Sequence, residues 1–406
     1  MTSGRDVIRA VAWRDVFPWL VLFRTFRLAK SMSLLFLASL GAVLAPAGWR
    51  VGEDLFLADA EVQADAELAR LVESNRRWPG QRGALPAPND GRLPRSIHEI
   101  ISASPNTLEP IYLQFVEPVA RLFQTPLSIT RAAYYACGSL WMLLVWGFFG
   151  GAVTRIAVVR LGREEPCGLS DGVGHAAARL GAYVGAPLFP LVGVALLAVP
   201  LAGLGLLARG DGGLFAAGLL WIPGLFGGLL MAILLVGLLF GWPLMWGTIS
   251  AEERGDVFEA FSRSYSYVFQ RPLHYLFYGL VAVVYGALAW LLVYHFAEGV
   301  IRSTEWAAAL GAGPERWSEI VRWRESPSLA AGSPFYGISL MNVGTGLVRT
   351  IAAGFGYSLF WCLAAAMYLL LRLDTDDTEF DEVFVADQSR RYQLPSTAEV
   401  EESKSR

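Results

Sequence analysis

Six apolar blocks are the feature that most constrains how this chain can fold. Each is roughly 20 residues long, which is the length that an α-helix needs to cross the core of a bilayer. Over the whole chain, 54% of the 406 residues are hydrophobic and 17% are charged, whereas soluble domains carry about 25% charged residues. We therefore predict an all-α integral membrane protein with about six transmembrane helices. The blocks are Ser31–Ala47, Ala133–Val153, Gly181–Ala208, Gly224–Trp246, Leu273–His295 and Ile351–Leu371.

The blocks divide the chain into segments of different character, with interfacial amphipathic helices expected between spans. Residues 48–130 are long enough to form a small helical extracytoplasmic cap. In chain order, we predict a cytoplasmic amphipathic segment (1–30), the first span (31–47), the extracytoplasmic helical segment (48–130), a four-span core (131–297), an outer amphipathic loop (298–349), the sixth span (350–372) and an acidic, largely disordered cytoplasmic tail (373–406).

The distribution of basic residues predicts the orientation of the spans, because loops rich in Lys and Arg stay in the cytoplasm. Six such residues precede the first span, whereas the loop between the third and fourth spans has only Arg209. We expect both termini in the cytoplasm of a bacterial cell and the chain in its cytoplasmic membrane. The lipid bilayer is the predicted partner, and a second copy or another membrane protein is a further candidate. The net charge of −3 does not suggest a nucleic-acid partner.

The stretch "GDVFEAFSRSYSYVFQRPLHYLFYGL", Gly255 to Leu280, lies between the fourth and fifth blocks and predicts an interfacial helix. Its polar face carries Arg263, and Asp256 and Glu259 have the spacing of a capping box. After Arg271, Pro272 ends this helix and can begin the next span. On a helix, the apolar stripe consists of Val257, Phe261, Tyr265 and Val268, joined by Phe258 and Phe269.

A repeated pattern of small residues closes the second and fourth blocks. "GFFGG" places Gly147 and Gly151 four residues apart, and "GLLFG" does the same for Gly237 and Gly241. A charged turn and an amphipathic segment follow each pattern, which predicts a parallel internal repeat. The four glycines would let the two spans approach a neighbouring helix closely. The alternative is coincidence in a chain with 42 glycines.

No arrangement of residues predicts a catalytic, cofactor or metal site. No ionisable residue lies near the centre of a block, where it would indicate function. The acidic run at 374–382 lacks the glycine and the final glutamate of a calcium loop, and a solvated or partner-docking tail is the preferred interpretation. No histidine has a second one at metal-ligand spacing, and no two cysteines have metal-ligand or redox spacing. These residues are His98, His175, His274, His295, Cys137, Cys167 and Cys362.

Two stretches carry a resemblance to known families. They are "GGAVTRIAVVRLGREEPCGLSDGVGHAAARLGAYVGAP" and "WGTISAEERGDVFEAFSRSYSYVFQRP". The six-span plan resembles bacterial multi-pass membrane families of unknown function. It is similar, more loosely, to the non-catalytic membrane domain of some glycerophosphodiester phosphodiesterases. The resemblance covers the second to fifth spans and implies architecture only, with no catalytic residues to transfer.

Three functional hypotheses follow from the sequence. The first is a non-enzymatic protein that organises the membrane or scaffolds partners, since surface helices recur and buried charge is absent. The second is a permease or channel for a neutral or lipid-like solute, since Pro187, Pro190, Pro200 and Pro223 interrupt the third and fourth spans. The third is an enzyme whose polar groups come together in the outer loops, with His295 and Glu298.

Overall fold

The computed structural model describes residues 17–80 and 108–385, and these ranges contain fourteen α-helices, two 3-10 turns and no strand. The 3-10 turns are Pro18–Leu20 and Pro327–Leu329. The helices are α1 Val21–Ala29, α2 Met32–Phe56, α3 Asp59–Ala64, α4 Ala66–Arg76, α5 Leu108–Arg121, α6 Ile129–Gly162, α7 Leu169–Ala178, α8 Leu180–Leu207, α9 Asp211–Leu219, α10 Trp221–Ala251, α11 Val257–Gln270, α12 Pro272–Ala312, α13 Pro314–Glu325 and α14 Ser333–Asp376.

Six of these helices are long and apolar enough to cross a membrane, namely α2, α6, α8, α10, α12 and α14. This confirms the prediction of an all-α, multi-pass membrane protein. Each helix continues beyond its apolar block, because charged residues such as Glu and Arg extend a helix at little energetic cost. The extension is largest for α12 and α14. Residues 298–349, predicted to be an outer loop, are instead mainly the continuations of these two helices, joined by α13.

The last spanning helix occupies the centre of the bundle. In the apolar window of α14, 94% of the residues are buried inside the protein, compared with 6% for α10. Helices α1, α2, α6, α10 and α12 all pack against α14. The mean hydropathy of the spans runs in the opposite direction, since it is 1.6 for the buried α14 and 2.4 for the exposed α10.

Helices α8 and α10 pair with each other and expose apolar side chains along most of their length. Leu196, Val199, Leu230 and Ile233 are among these exposed side chains. Contiguous exposed apolar surface of this extent is unusual for a soluble protein, and it suits contact with lipid tails. Pro187 lies inside α8 and removes the hydrogen bond to the carbonyl of Tyr183. The indole of Trp246 donates to that carbonyl instead, at 3.0 Å.

The carbonyl end of α10 is capped by groups from three other segments. The last carbonyls of a helix have no partner within the helix. Here Arg179 donates to Ile249 at 3.2 Å, Arg155 donates to Ser250, and the backbone N–H of Phe384 donates to Ala251 at 2.9 Å. Cationic groups at this position also favour the negative end of the helix dipole.

Gly255 makes room for the Arg179 cap. Its φ of +49° lies in the left-handed region that favours glycine. A Cβ at this position would overlap the Arg179 guanidinium. The charged turn after α10 therefore needs a glycine for its backbone conformation and also for the close approach of Arg179.

The first part of the acidic tail is docked on the bundle. Asp374 and Asp376 belong to α14, and the chain then folds back so that Arg163 donates to the carbonyl of Val383 at 3.0 Å. Arg372 donates to the carbonyl of Glu382 at 2.8 Å. Residues 373–385 therefore differ from the disordered tail that was predicted. The rest of that tail, 386–406, lies outside the described residues, as do 1–16 and 81–107 with His98.

Candidate functional site

A cavity of about 350 Å³ lies between α5, α6, α8 and α10. None of the described residues that line it is ionisable at neutral pH, and nearly all are apolar. A lining of this kind suits an apolar molecule, because apolar side chains pack against apolar surface. Residues that line the cavity include Phe115, Val119, Met142, Leu191, Leu239 and Trp242.

Helix α5 closes one side of the cavity and is fixed to the bundle at several points. At its start, Leu108 fills the space left by Gly286 of α12, where a Cβ would overlap the leucine side chain. The Tyr112 hydroxyl donates to the main-chain carbonyl of Leu239 on α10. At its end, Arg121 forms ion pairs with Glu67 and Glu117 at 2.5 and 3.0 Å. Leu108 and Tyr112 thus hold α5 against α12 and α10, and the Arg121–Glu67 pair ties its end to α4.

Phe115 of α5 inserts into a group of tryptophans at the centre of the bundle. Its ring centroid lies 4.7 Å from that of Trp242, 6.0 Å from that of Trp361 and 6.5 Å from that of Trp146. Trp361 stacks in turn on Trp246, with centroids 4.2 Å apart. Aromatic rings at these separations pack with favourable geometry. The aromatic group forms a rigid wall at the inner end of the cavity.

The cavity opens onto the exposed apolar surface of the bundle. Val236 and Phe123 both line it, and 44% and 48% of their surfaces are exposed. Val236 lies on the same helix as the exposed residues Leu230 and Ile233. An apolar molecule next to this exposed surface can therefore enter the cavity from the side of the bundle.

Three polar side chains face the cavity. Gln114 accepts a hydrogen bond from the Tyr357 hydroxyl at 2.6 Å. Ser139 Oγ and Trp242 Nε1 are buried and make no hydrogen bond within the protein. The site could not be predicted from the sequence, because its walls come from α5, α6, α8 and α10, and no local pattern indicates which of these helices meet.

The predicted interfacial helix is α11, and its first turn has part of what the sequence indicated. Asp256 accepts a hydrogen bond from the backbone N–H of Glu259 at 2.8 Å, which holds the pKa of the Asp256 carboxyl below its usual range. Glu259 accepts from the backbone N–H of Gly255 at 3.1 Å and from Arg263 at 3.1 Å. Asp256 is thus the N-cap of α11, whereas the Glu259 carboxylate reaches back to Gly255 and not to the Asp256 N–H, so the predicted capping box is only half formed. The exposed Arg271 ends α11, and Pro272 begins α12.

The buried face of α11 is rotated from the apolar stripe of the sequence. Tyr265 and Val268 are buried, but Val257 and Phe261 are only half-buried, and Phe258 is 65% exposed. Three residues outside the stripe are fully buried instead, namely Ala260, Ser264 and Tyr267. Small side chains allow α11 to lie close against α10, so the packing follows side-chain size as well as polarity.

The four glycines of the repeated pattern contact the helices that follow in the chain. A Cβ at Gly237 would overlap the Tyr265 ring of α11, and Gly241 faces Ser264 of the same helix. Gly147 and Gly151 face Tyr183 at the beginning of α8. The glycines of α10 thus accommodate the predicted interfacial helix rather than another span.

A polar junction joins the end of α10 to α11 and α14, and we define it as Glu252, Arg263, Tyr267, Tyr368 and Asp376. Glu252 accepts from the Tyr368 hydroxyl at 2.7 Å. Asp376 accepts from the Tyr267 hydroxyl at 2.6 Å and from Arg263 at 3.0 Å. Burial raises the pKa of the Tyr267 hydroxyl, and its bond to Asp376 adds to the rise. The residues of "EERGDVFEAFSRSYSY" therefore serve to connect helices.

The described histidines are not brought together. His175 Nε2 lies 3.2 Å from the carbonyl of Ile249, and burial together with Arg155 and Arg179 lowers its pKa to about 3. His274 is exposed on α12. Within residues 17–80 and 108–385, no group of three or more His, Cys, Asp or Glu side chains could hold a metal ion.

Of the two outer groups considered for an enzyme, Glu298 is engaged in a structural contact, whereas the buried His295 Nε2 makes no hydrogen bond to another described residue. Glu298 forms an ion pair with Arg349 at 3.0 Å, and both side chains are largely buried. This pair links α12 to α14. His295 lies one turn before Glu298 on α12.

Comparison with family models, with curated proteins and with solved structures finds no match to this chain. The resemblance to membrane families of unknown function thus stays a prediction.

Proposed function

We propose that this chain is a non-enzymatic protein of a bacterial cytoplasmic membrane that organises the surrounding bilayer by holding the apolar chain of a lipid. The observation that supports the proposal is the cavity of about 350 Å³ between α5, α6, α8 and α10. Its volume lies in the lower part of the range of small-molecule sites, roughly 300–1,000 Å³. Its opening at Val236 and Phe123 faces the apolar surface that suits lipid tails.

Binding in this cavity selects a ligand by its shape. A lipid tail gains little hydrophobic free energy on moving from the bilayer into an apolar cavity, because both environments are dry. The gain comes from close packing against a fixed surface. Phe115 and the anchors of α5 at Tyr112 and Arg121 keep that surface in place.

The orientation proposed from the sequence puts α7, α11 and residues 377–385 on the cytoplasmic side. Arg155, Arg160, Arg163 and Arg179 all lie at or near the end of α6 and the start of α8. Concentration of basic residues at one end of a bundle favours the cytoplasm for that end. Phe258 and Phe269, both exposed on α11, would then enter the inner leaflet.

Photocrosslinking in proteoliposomes tests the proposal. Phosphatidylethanolamine with a diazirine in one acyl chain is irradiated with the protein, and labelled peptides are mapped by mass spectrometry. We expect strong labelling of α5 and of the part of α10 around Leu239. Val119→Trp and Leu239→Trp fill the cavity and should remove that labelling.

Leu196→Trp is the matched control, since Leu196 is 68% exposed on α8 and does not line the cavity. This variant should label as the wild type does. Labelling spread evenly over the apolar surface, and unchanged in Val119→Trp, would contradict the proposal.

A permease for a neutral or lipid-like solute is the second candidate, and the position of Pro187 favours it. Pro187 lines the cavity and breaks the regular hydrogen bonding of α8. A helix weakened at this position can bend and change the width of the cavity. Transfer of a fluorescent lipid between leaflets of proteoliposomes, faster than in protein-free vesicles and slowed by Pro187→Ala, would favour this candidate over simple binding.

A further inference from the structure

The cavity ends at an indole N–H that has no partner. Trp242 is 4% exposed and lines the cavity, and its Nε1 makes no hydrogen bond. Ser139 Oγ, on the α6 wall, is also buried without a partner. Among the described residues, the buried indoles of Trp49, Trp146, Trp290 and Trp361 also make no hydrogen bond, but Trp242 is the one of these five that lines the cavity.

An unpartnered indole at this position needs an explanation. The Tyr112 hydroxyl lies close to Trp242 but is outside hydrogen-bond geometry with its indole, and it donates to Leu239. A buried donor left without an acceptor destabilises the folded protein. A ligand in the cavity with an acceptor atom would satisfy this group directly.

The position of Trp242 relative to the membrane surface indicates which class of ligand the cavity takes. Its neighbour Gly241 contacts Ser264 of α11, the helix that we place at the boundary between headgroups and tails. Ester carbonyls of glycerolipids lie at that boundary. From Trp242 the cavity extends along α10 to Leu235, which leaves an apolar path for the attached chain.

We propose that the cavity takes an acyl ester, with its carbonyl oxygen accepting from Trp242 Nε1 and its chain packed between α5 and α10. The Ser139 hydroxyl, which also lines the cavity, is a second donor available to such an ester. This inference rests on the proposed function, namely that the cavity holds a lipid chain, and it adds the chemical group that is recognised.

Competition for the photoreactive lipid separates the two claims. Methyl palmitate carries the ester, and octadecane has similar length without an acceptor. In the wild type, methyl palmitate should compete at a concentration about 2- to 10-fold lower than octadecane, as expected for one neutral hydrogen bond. Trp242→Phe should remove this preference and leave competition by octadecane unchanged.

Trp361→Phe is the control. The Trp361 indole also has no partner and belongs to the same aromatic group, but Trp361 does not line the cavity. This variant should keep the preference for the ester. As a second measurement that needs no substitution, the ¹H–¹⁵N resonance of the Trp242 indole should move downfield with methyl palmitate and stay in place with octadecane.

The outcomes are distinct. Equal competition by both compounds in the wild type, or an ester preference that survives in Trp242→Phe, overturns the assignment of an ester and leaves binding of a chain intact. Failure of both compounds to displace the lipid overturns the proposed function as well.

Discussion

The guanidinium of Arg155 on α6 donates to the main-chain carbonyl of Ser250 at the end of α10. Its second nitrogen donates to the carbonyl of Phe384 at 2.8 Å, and only 8% of the residue is exposed. One side chain thus joins a central spanning helix, the end of a second one and the segment that folds back after α14. Arg155 satisfies carbonyls that would otherwise be buried without a donor.

We expect Arg155→Met to lower the free energy of unfolding by about 2–3 kcal/mol, because it leaves two acceptors without a charged donor. Thermal unfolding in detergent measures the effect. Arg254→Met is the control, since the Arg254 side chain is 81% exposed and pairs only with Asp256. A melting temperature for Arg155→Met equal to that of the control would show that the cap does not stabilise the fold.

Gly237→Ala should force α10 and α11 apart, because a Cβ at Gly237 would overlap the Tyr265 ring. The variant should unfold at a temperature several degrees lower, as expected for about 1–3 kcal/mol of overpacking. Gly228→Ala is the matched control, since Gly228 lies on the same helix and no atom lies within 4 Å of the added Cβ. It should be neutral or slightly stabilising. Similar losses in both variants would sink this explanation of the glycine.

His175 should make the protein sensitive to mild acid. Its pKa is about 3 in the folded protein, held down by burial and by Arg155 and Arg179, and about 6.5 in the unfolded chain. Below about pH 6.5 the unfolded chain therefore binds a proton that the folded protein does not, so stability falls as the pH falls towards 3. The loss at pH 5 is at most about 2 kcal/mol.

Unfolding by denaturant at pH 7.5 and at pH 5 measures this loss. His175→Gln should reduce the difference between the two pH values, whereas His274→Gln, at an exposed position, should retain it. If His175→Gln keeps the wild-type difference in stability between the two pH values, the acid sensitivity comes from other groups.

Phe258 and Phe269 should hold α11 at the membrane surface, since both are exposed apolar side chains on this helix. Changing both to Asp should raise a spin label at the exposed position Ser262 out of the bilayer, measured by accessibility to oxygen and to a polar nickel complex. Gln270→Asp changes an exposed polar position on the same helix and should leave the depth unchanged. An unaltered depth in the double variant would place α11 away from the lipid.

The spans could be predicted because their signal is local. An apolar block of sufficient length is a helix in a bilayer whatever it later contacts. The N-cap at Asp256 is local too, and the structure has its hydrogen bond from the backbone N–H of Glu259. The buried face of α11 was harder to predict, because Ser264 is buried against Gly241 for its small size, and a polarity pattern does not register side-chain size.

The cavity depends on contacts between distant parts of the chain. The Tyr112 hydroxyl meets the Leu239 carbonyl 127 positions later, and Tyr357 meets Gln114 across 243 positions. Nothing near α5 in the sequence distinguishes a helix that enters the bundle from one that covers it. The docking of Val383 and Phe384 also could not be predicted, since it uses backbone groups that every residue has.

The fold-back after α14 bears on how the protein is made. Phe384 supplies its N–H to Ala251 and its carbonyl to Arg155, and it is synthesised after all six spanning helices. Until the ribosome has released it, the end of α10 and the Arg155 guanidinium depend on water or lipid headgroups for partners. A nascent chain with every span inserted therefore still lacks these two hydrogen bonds. Among the described contacts at the end of α10, those of Phe384 are the last that can form during synthesis.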